Sequence, residues 1–212
     1  MLRFSFSQFV KMNKPPQKTI DYFRSIPWTR EILENNGYQI IPFFSRHLNE
    51  HTGENRFFAQ TVNSKTTIPH LLALQLKDLK PTGLDSRPCR FVSQNPAAPH
   101  SLICLVSLGR GLDSHPSIVH GGFQGVLFDE IMRNLILSNH NSTCESGRGD
   151  IHFTVNMNVS YASPVTTPRV FLLRSQLTKR EGRKWFTQAE IVDSENRVLT
   201  SGEGIWITAK RN

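Results

Sequence analysis

The chain has 212 residues, 38% of them hydrophobic, and carries 25 Lys and Arg against 17 Asp and Glu for a net charge of +8. That length suits one domain with an extension and is ample for a buried core, and no run approaches the roughly eighteen apolar residues that a membrane span needs. The basic residues are scattered without a recognition helix, zinc-finger spacing or RNA-binding aromatic signature, which argues against nucleic acid; a small anionic partner or a solvated basic surface accounts for the balance equally well.

Residues 1–18 hold Arg3, Lys11, Lys14 and Lys18, with no acid before Asp21. Apolar residues (Leu2, Phe4, Phe6, Phe9, Val10) alternate with serines, so this is a flexible basic tail or a targeting segment compatible with a mitochondrial presequence. It lacks a long apolar stretch and a small-residue cleavage site, so secretion is not expected. Cys89, Cys104 and Cys144 are odd in number and show no paired spacing. They suggest neither disulfides nor a zinc site and favour a reducing compartment, mitochondrial or cytoplasmic.

An N-terminal extension, 19–85, comes next. Residues 19–36 read as two helical pieces: Thr19 caps the first, Pro27 sits in the first turn of the second, and Gly37 ends it. Prolines at 42, 69, 81, 88, 96 and 99 break the stretch from 40 to 100 into short segments, with a strand possible over 68–79.

The domain spanning 86–212 is more legible. Residues 102–108 (Leu-Ile-Cys-Leu-Val-Ser-Leu) form a buried strand, followed by a loop with Gly109, Gly111 and Pro116. A helix from about Gly122 to Asn139 is apolar around nearly its whole circumference, so it is buried on most sides. In 151–161, Ile151, Phe153, Val155, Met157, Val159 and Tyr161 alternate with polar residues, which predicts a strand with one packed face. Three more strands follow over 169–179, 183–192 and 197–209, joined by tight turns at Glu181-Gly182 and Ser194-Glu195-Asn196. Connections this short demand antiparallel neighbours. One buried helix and one curved antiparallel sheet pack most simply with the sheet wrapped around the helix: an α+β class with a partly helical N-terminal extension.

Chemistry concentrates at His120-Gly121-Gly122, with one carboxylate, Asp129, nine residues after the histidine. Paired glycines at a helix start let a carbonyl approach bare backbone N–H groups at the positive end of the helix dipole. An acid in an apolar helix can activate water. The alternative is structural: the glycines allow tight helix–sheet contact, and Asp129 pairs with Arg133 one turn on. Glu130 is the competing carboxylate, about 100° away around the helix.

Residues 102–209, roughly half of the chain, resemble the hotdog-fold acyl-CoA thioesterases of the phenylacetate-pathway and 4-hydroxybenzoyl-CoA type. Three stretches carry the resemblance. They are Ile118-Val119-His120-Gly121-Gly122 with Asp129, the strand from Thr154 through Tyr161 to Pro164, and Ser175-Gln176-Leu177 through Glu181 to Phe186. The last is similar to the animal mitochondrial thioesterases of the carboxyl-terminal-modulator type. The resemblance implies a hotdog fold, an acyl-CoA substrate and no metal or other cofactor. It gives Asp129 the role of base or nucleophile, Gly121 and Gly122 that of oxyanion donors, and Thr154 that of orienting the water. His120 either donates to the thioester or shapes the turn. Ser114, with His115 beside it, stands where relatives carry an Asn or similar polar group, and Arg183 and Lys184 are candidates for CoA phosphates.

Gly122 and Asp129 lie about 10 Å apart along one helix, too far to act on a single carbonyl. The expectation is therefore a homodimer, or a dimer of dimers, with shared sites. Two other readings stay open: a hotdog thioesterase acting on carrier-protein-bound acyl or polyketide chains, and a non-hydrolytic acyl-CoA-binding protein or dehydratase.

Overall fold

The computed structural model describes residues 6–77, 100–140 and 150–209. Cys89, Cys144 and the expected boundary at 85/86 fall outside them. The chain begins with three short helices, α1 (Phe6–Met12), α2 (Gln17–Arg24) and α3 (Pro27–Glu34), followed by strands β1 (Tyr38–Ile41), β2 (Leu71–Leu76) and β3 (Leu102–Leu108). A small hairpin, β4 (Asp113–His115) and β5 (Ile118–Val119), leads into the long helix α4 (Gly121–His140). Strands β6 (Ile151–Tyr161), β7 (Arg169–Glu181), β8 (Lys184–Val192) and β9 (Val198–Ala209) complete the described chain.

Seven strands form one sheet in the order β1-β2-β3-β7-β8-β9-β6, and every pairing in it is antiparallel. The sheet wraps α4, whose Leu127, Phe128, Ile131, Met132, Leu135 and Ile136 are all buried. This is the hotdog arrangement expected from the sequence. Close approach depends on two glycines of β9: a methyl group at Gly202 would lie 2.6 Å from the Phe128 ring, and one at Gly204 would lie 2.7 Å from the Met132 sulfur. Side chains there would push the helix off the sheet.

The extension is continuous with this core. Its β1 and β2 lengthen the sheet beyond β3. On the far side of the sheet, α2 and α3 place Phe23, Trp28, Ile32 and Leu33 over Leu72, Leu74, Ile103 and Leu105, forming a second apolar layer. Pro27 opens α3 as expected, whereas Thr19 lies buried within α2 and does not cap it. The stretch read as a basic tail or targeting segment forms α1 from Phe6 onward, with Phe6 buried and the Phe9 ring edge-on to Phe44 and His47.

Residues 42–68 cover the side of α4 that the sheet leaves open. Phe43, Phe58 and Val62 are buried against the helix core. Ser45 donates to the Glu130 carboxylate, Asn134 accepts from the Phe44 N–H at 3.0 Å, and Arg133 reaches Glu54 at 2.8 Å and Asn55 at 3.0 Å. The segment is pinned by Arg46, whose partly buried guanidinium donates to the carbonyls of Phe58, Val62 and Ile68. Burial lowers its pKa to about 10. The apolar circumference of α4 thus has a concrete cause: sheet on one side, the chain's own extension on the other.

One expectation needs correcting. The alternating residues of 151–161 do not share one packed face, because β6 carries a bulge between Thr154 and Asn156. One extra residue flips every later side chain to the opposite face. His152 and Thr154 face α4 before the bulge, and Met157, Val159 and Tyr161 face it afterwards, while Phe153 and Val155 are 52% and 62% exposed.

Candidate active site

The chain enters α4 through a short loop held at every backbone group but one. The N–H of His120 donates to the Leu112 carbonyl at 2.8 Å, and the His120 carbonyl accepts from Phe123 at 2.9 Å and Gln124 at 3.2 Å. The Gly122 N–H donates to Nδ1 of His120 at 2.9 Å. The Gly121 N–H has no acceptor among the described residues. So the two glycines, expected to act as a pair of donors, divide: Gly122 closes the turn onto the imidazole, and Gly121 presents the unengaged amide. His120 shapes the turn through its Nδ1, which accepts from Gly122.

Neither glycine has positive φ. A methyl group at Gly122 would lie 3.2 Å from the His120 ring, so that position is tight. At Gly121 the nearest atoms would be those of the Tyr161 ring at 3.5 Å, an ordinary contact. Nothing in the fold itself requires glycine at 121. Tyr161, to which the sequence assigned no role, donates its hydroxyl to the Gly121 carbonyl at 3.0 Å. Its only sequence signal was an aromatic residue closing β6 just before Ala162-Ser163-Pro164.

Two turns further along α4, Asp129 is partly exposed and accepts from the Thr154 hydroxyl at 2.6 Å on Oδ1. Thr154 faces the helix from the residue just before the bulge, and the bulge brings Met157, Val159 and Tyr161 to the same face. Arg133, the alternative partner, is engaged with Glu54 and Asn55 and stacks over the Phe44 ring, with Glu130 at 4.0 Å. Glu130 itself turns to the 42–68 cover. Burial pushes its pKa up, opposed by the Ser45 hydroxyl and the Arg133 charge, with the Asp129 charge adding to the rise.

The remaining candidates stand apart from this site. Ser114 and His115 are exposed on β4 and make no hydrogen bond to His120, Gly121, Asp129 or Thr154. Arg183 lies in the exposed β7–β8 turn with Nη1 3.5 Å from the Thr208 carbonyl. Lys184 pairs in register with Ile207, itself opposite Phe153, so its side chain leaves the sheet away from α4. Among the described residues, no three His, Cys, Asp or Glu side chains gather as metal ligands, and no helix is long and apolar enough to cross a membrane.

An amide at a helix start and a hydroxyl-held carboxylate thus stand on one helix inside a hotdog sheet. Residues 117–200 match the family model described as the thioesterase superfamily. Verlamelin biosynthesis protein B from Lecanicillium sp is 22% identical over 90% of this chain and 88% of its own length. Acyl-coenzyme A thioesterase THEM4 from Rattus norvegicus is 31% identical over 46% of this chain, an alignment that spans 38% of that protein. The mitochondrial membrane protein FMP10 of Saccharomyces cerevisiae is 26% identical over 51% of this chain and 43% of its own length.

Proposed function

We propose that this chain is a thioester hydrolase that converts an acyl-CoA and water to the free acid and CoA. The observation that carries this reading is the pairing of a free Gly121 amide with an Asp129 carboxylate held by Thr154. The thioester carbonyl accepts from the Gly121 N–H, and the charge that develops on its oxygen in the tetrahedral intermediate is stabilised there. Thr154 occupies Oδ1 of Asp129, which leaves Oδ2 to take a proton from the attacking water or to attack the carbonyl itself. Collapse of the intermediate expels CoA thiolate; where the carboxylate has attacked, water then hydrolyses the acyl–aspartyl anhydride to the free acid and regenerates Asp129.

One chain does not suffice for this. Gly121 and Asp129 are eight residues apart on a continuous helix, about 12 Å along its axis. Among the described residues β6 is the last strand of the sheet and pairs with no strand on its outer side, where Phe153 and Val155 are exposed. A long apolar edge invites a further strand. Two copies joined β6 to β6 run their α4 helices antiparallel, so that Gly121 of one chain meets Asp129 of the other. A dimer of dimers is the next level of the same assembly.

The basic balance of the chain suits CoA phosphates. It suits an acidic carrier protein as well, and the relative matched along most of its own length is named as a biosynthesis protein. That observation favours a second reading in which the thioester is carrier-bound. The basic N-terminal stretch and the likeness to a mitochondrial protein support a mitochondrial setting. Free-thiol release from a panel of acyl-CoAs, and from the same acyl groups on a carrier protein, tests the reaction and separates the two substrates. Asp129→Asn is expected to lose about 10²–10⁴ of the rate. A wild-type chain that releases no thiol from either set, or an Asp129→Asn variant that keeps full rate, contradicts the proposal.

A further inference from the structure

The start of α4 poses a physical problem. An oxyanion donor works when its N–H is fixed before the substrate arrives, yet a Gly-Gly pair is the least restrained dipeptide a chain can place there. The restraints come from outside the pair. The His120–Gly121 peptide is gripped at its carbonyl by the N–H groups of Phe123 and Gln124, leaving the Gly121 N–H as its free end. The next peptide, Gly121–Gly122, is gripped at both ends: His120 Nδ1 takes its N–H at 2.9 Å, and the Tyr161 hydroxyl donates to its carbonyl at 3.0 Å.

Of these grips only the Tyr161 bond comes from another element. His120, Phe123 and Gln124 belong to the same turn and move with it, whereas Tyr161 stands on β6, the strand that also holds Asp129 through Thr154. Its ring lies against the Gly121 α-carbon, where an added methyl would sit 3.5 Å away.

We propose that Tyr161 is the positioning residue that fixes the direction of the Gly121 amide, tying the oxyanion donor to β6, the strand whose Thr154 holds the acid of the other site in the proposed dimer. The proposal rests on the hydrolase reading, while the carbonyl frequency of the bound analogue reports on the Gly121 amide without turnover. Tyr161 does not touch the reacting atoms; it acts through the glycine peptide. Without the hydroxyl, Gly121 regains torsional freedom, and its N–H points at the carbonyl for only part of the time.

The test is Tyr161→Phe, which keeps the ring and removes the donor, with Tyr161→Leu removing both. A ketone analogue of acyl-CoA, with CH₂ in place of the thioester sulfur, is bound to each protein and its carbonyl stretch is read by infrared difference spectroscopy. The wild type lowers that frequency through the Gly121 hydrogen bond; Tyr161→Phe is expected to show a smaller and broader shift, and Tyr161→Leu a smaller one still. Turnover of Tyr161→Phe should fall about five- to tenfold in kcat with KM little changed, the size expected for one hydrogen bond acting at second hand. A merely structural tyrosine moves the melting temperature and leaves the carbonyl frequency alone. An unchanged frequency and an unchanged kcat in Tyr161→Phe overturn the proposal. A wild type that binds the analogue with a shifted carbonyl but hydrolyses nothing overturns the hydrolase reading instead.

Discussion

Gly121 adopts a backbone conformation open to any residue and has room for a methyl group, yet it is glycine. What a methyl would obstruct is therefore something that approaches from outside the chain, which in the proposed reaction is the thioester. Gly121→Ala is accordingly expected to melt within a degree or two of the wild type while losing most of its turnover, as thermal unfolding and thiol release measured on one preparation will show. Gly122→Ala should lower both, because its methyl meets the His120 ring at 3.2 Å. A second residue-scale prediction concerns Glu130. Burial raises its pKa above the ordinary 4.5, so over the window that opens at that value the native chain holds a proton that the unfolded chain has lost. Stability then falls as pH rises through the window. Melting temperatures from pH 4 to 8 should decline relative to those of Glu130→Gln; parallel curves for the two proteins would refute this.

At the scale of elements, β6 and the 42–68 cover do the positioning. The bulge at Val155 lets one strand hold Asp129 through Thr154 and Gly121 through Tyr161, although the two positions differ in parity along the sequence. This was not legible from the sequence. Alternation over 151–161 is unbroken, and a bulge leaves no mark when the inserted residue is itself a β-branched apolar one. The strands from 169 to 209 and the helix α4 were legible, because tight turns and an all-round apolar helix have few structural solutions. The strand read over 68–79 is found as β2, but the stretch from 42 to 68 was opaque: its order comes from polar anchors such as Arg46, which have no periodicity. Those anchors predict that Arg46→Leu, which leaves the Phe58 and Ile68 carbonyls buried without donors, costs about 3 kcal/mol in denaturant unfolding. The polar residues Glu130, Arg133 and Asn134 on α4 gain their explanation here, as the helix's contacts to that cover.

For the whole molecule, the extension and the edge strand divide the surface. The chain covers the open side of α4 with residues 42–68 and one end of the outer sheet face with α2 and α3, while the outer edge of β6 pairs with no other strand among the described residues. In the proposed dimer this leaves the β6 edge as the joining surface. Val155→Lys should shift the mass in sedimentation toward the monomer and reduce turnover in step, since a site divided between two chains fails when they part. The most direct test of that division mixes two inactive variants, Asp129→Asn and Gly121→Pro, the latter removing the N–H at the first helical position, where proline is tolerated. Subunits unfolded together and refolded as a mixture should recover about a quarter of wild-type thioesterase activity, because half of the dimers are mixed and each of those holds one intact site. A mixture as inactive as its two parents would contradict a site made of Gly121 from one chain and Asp129 from the other.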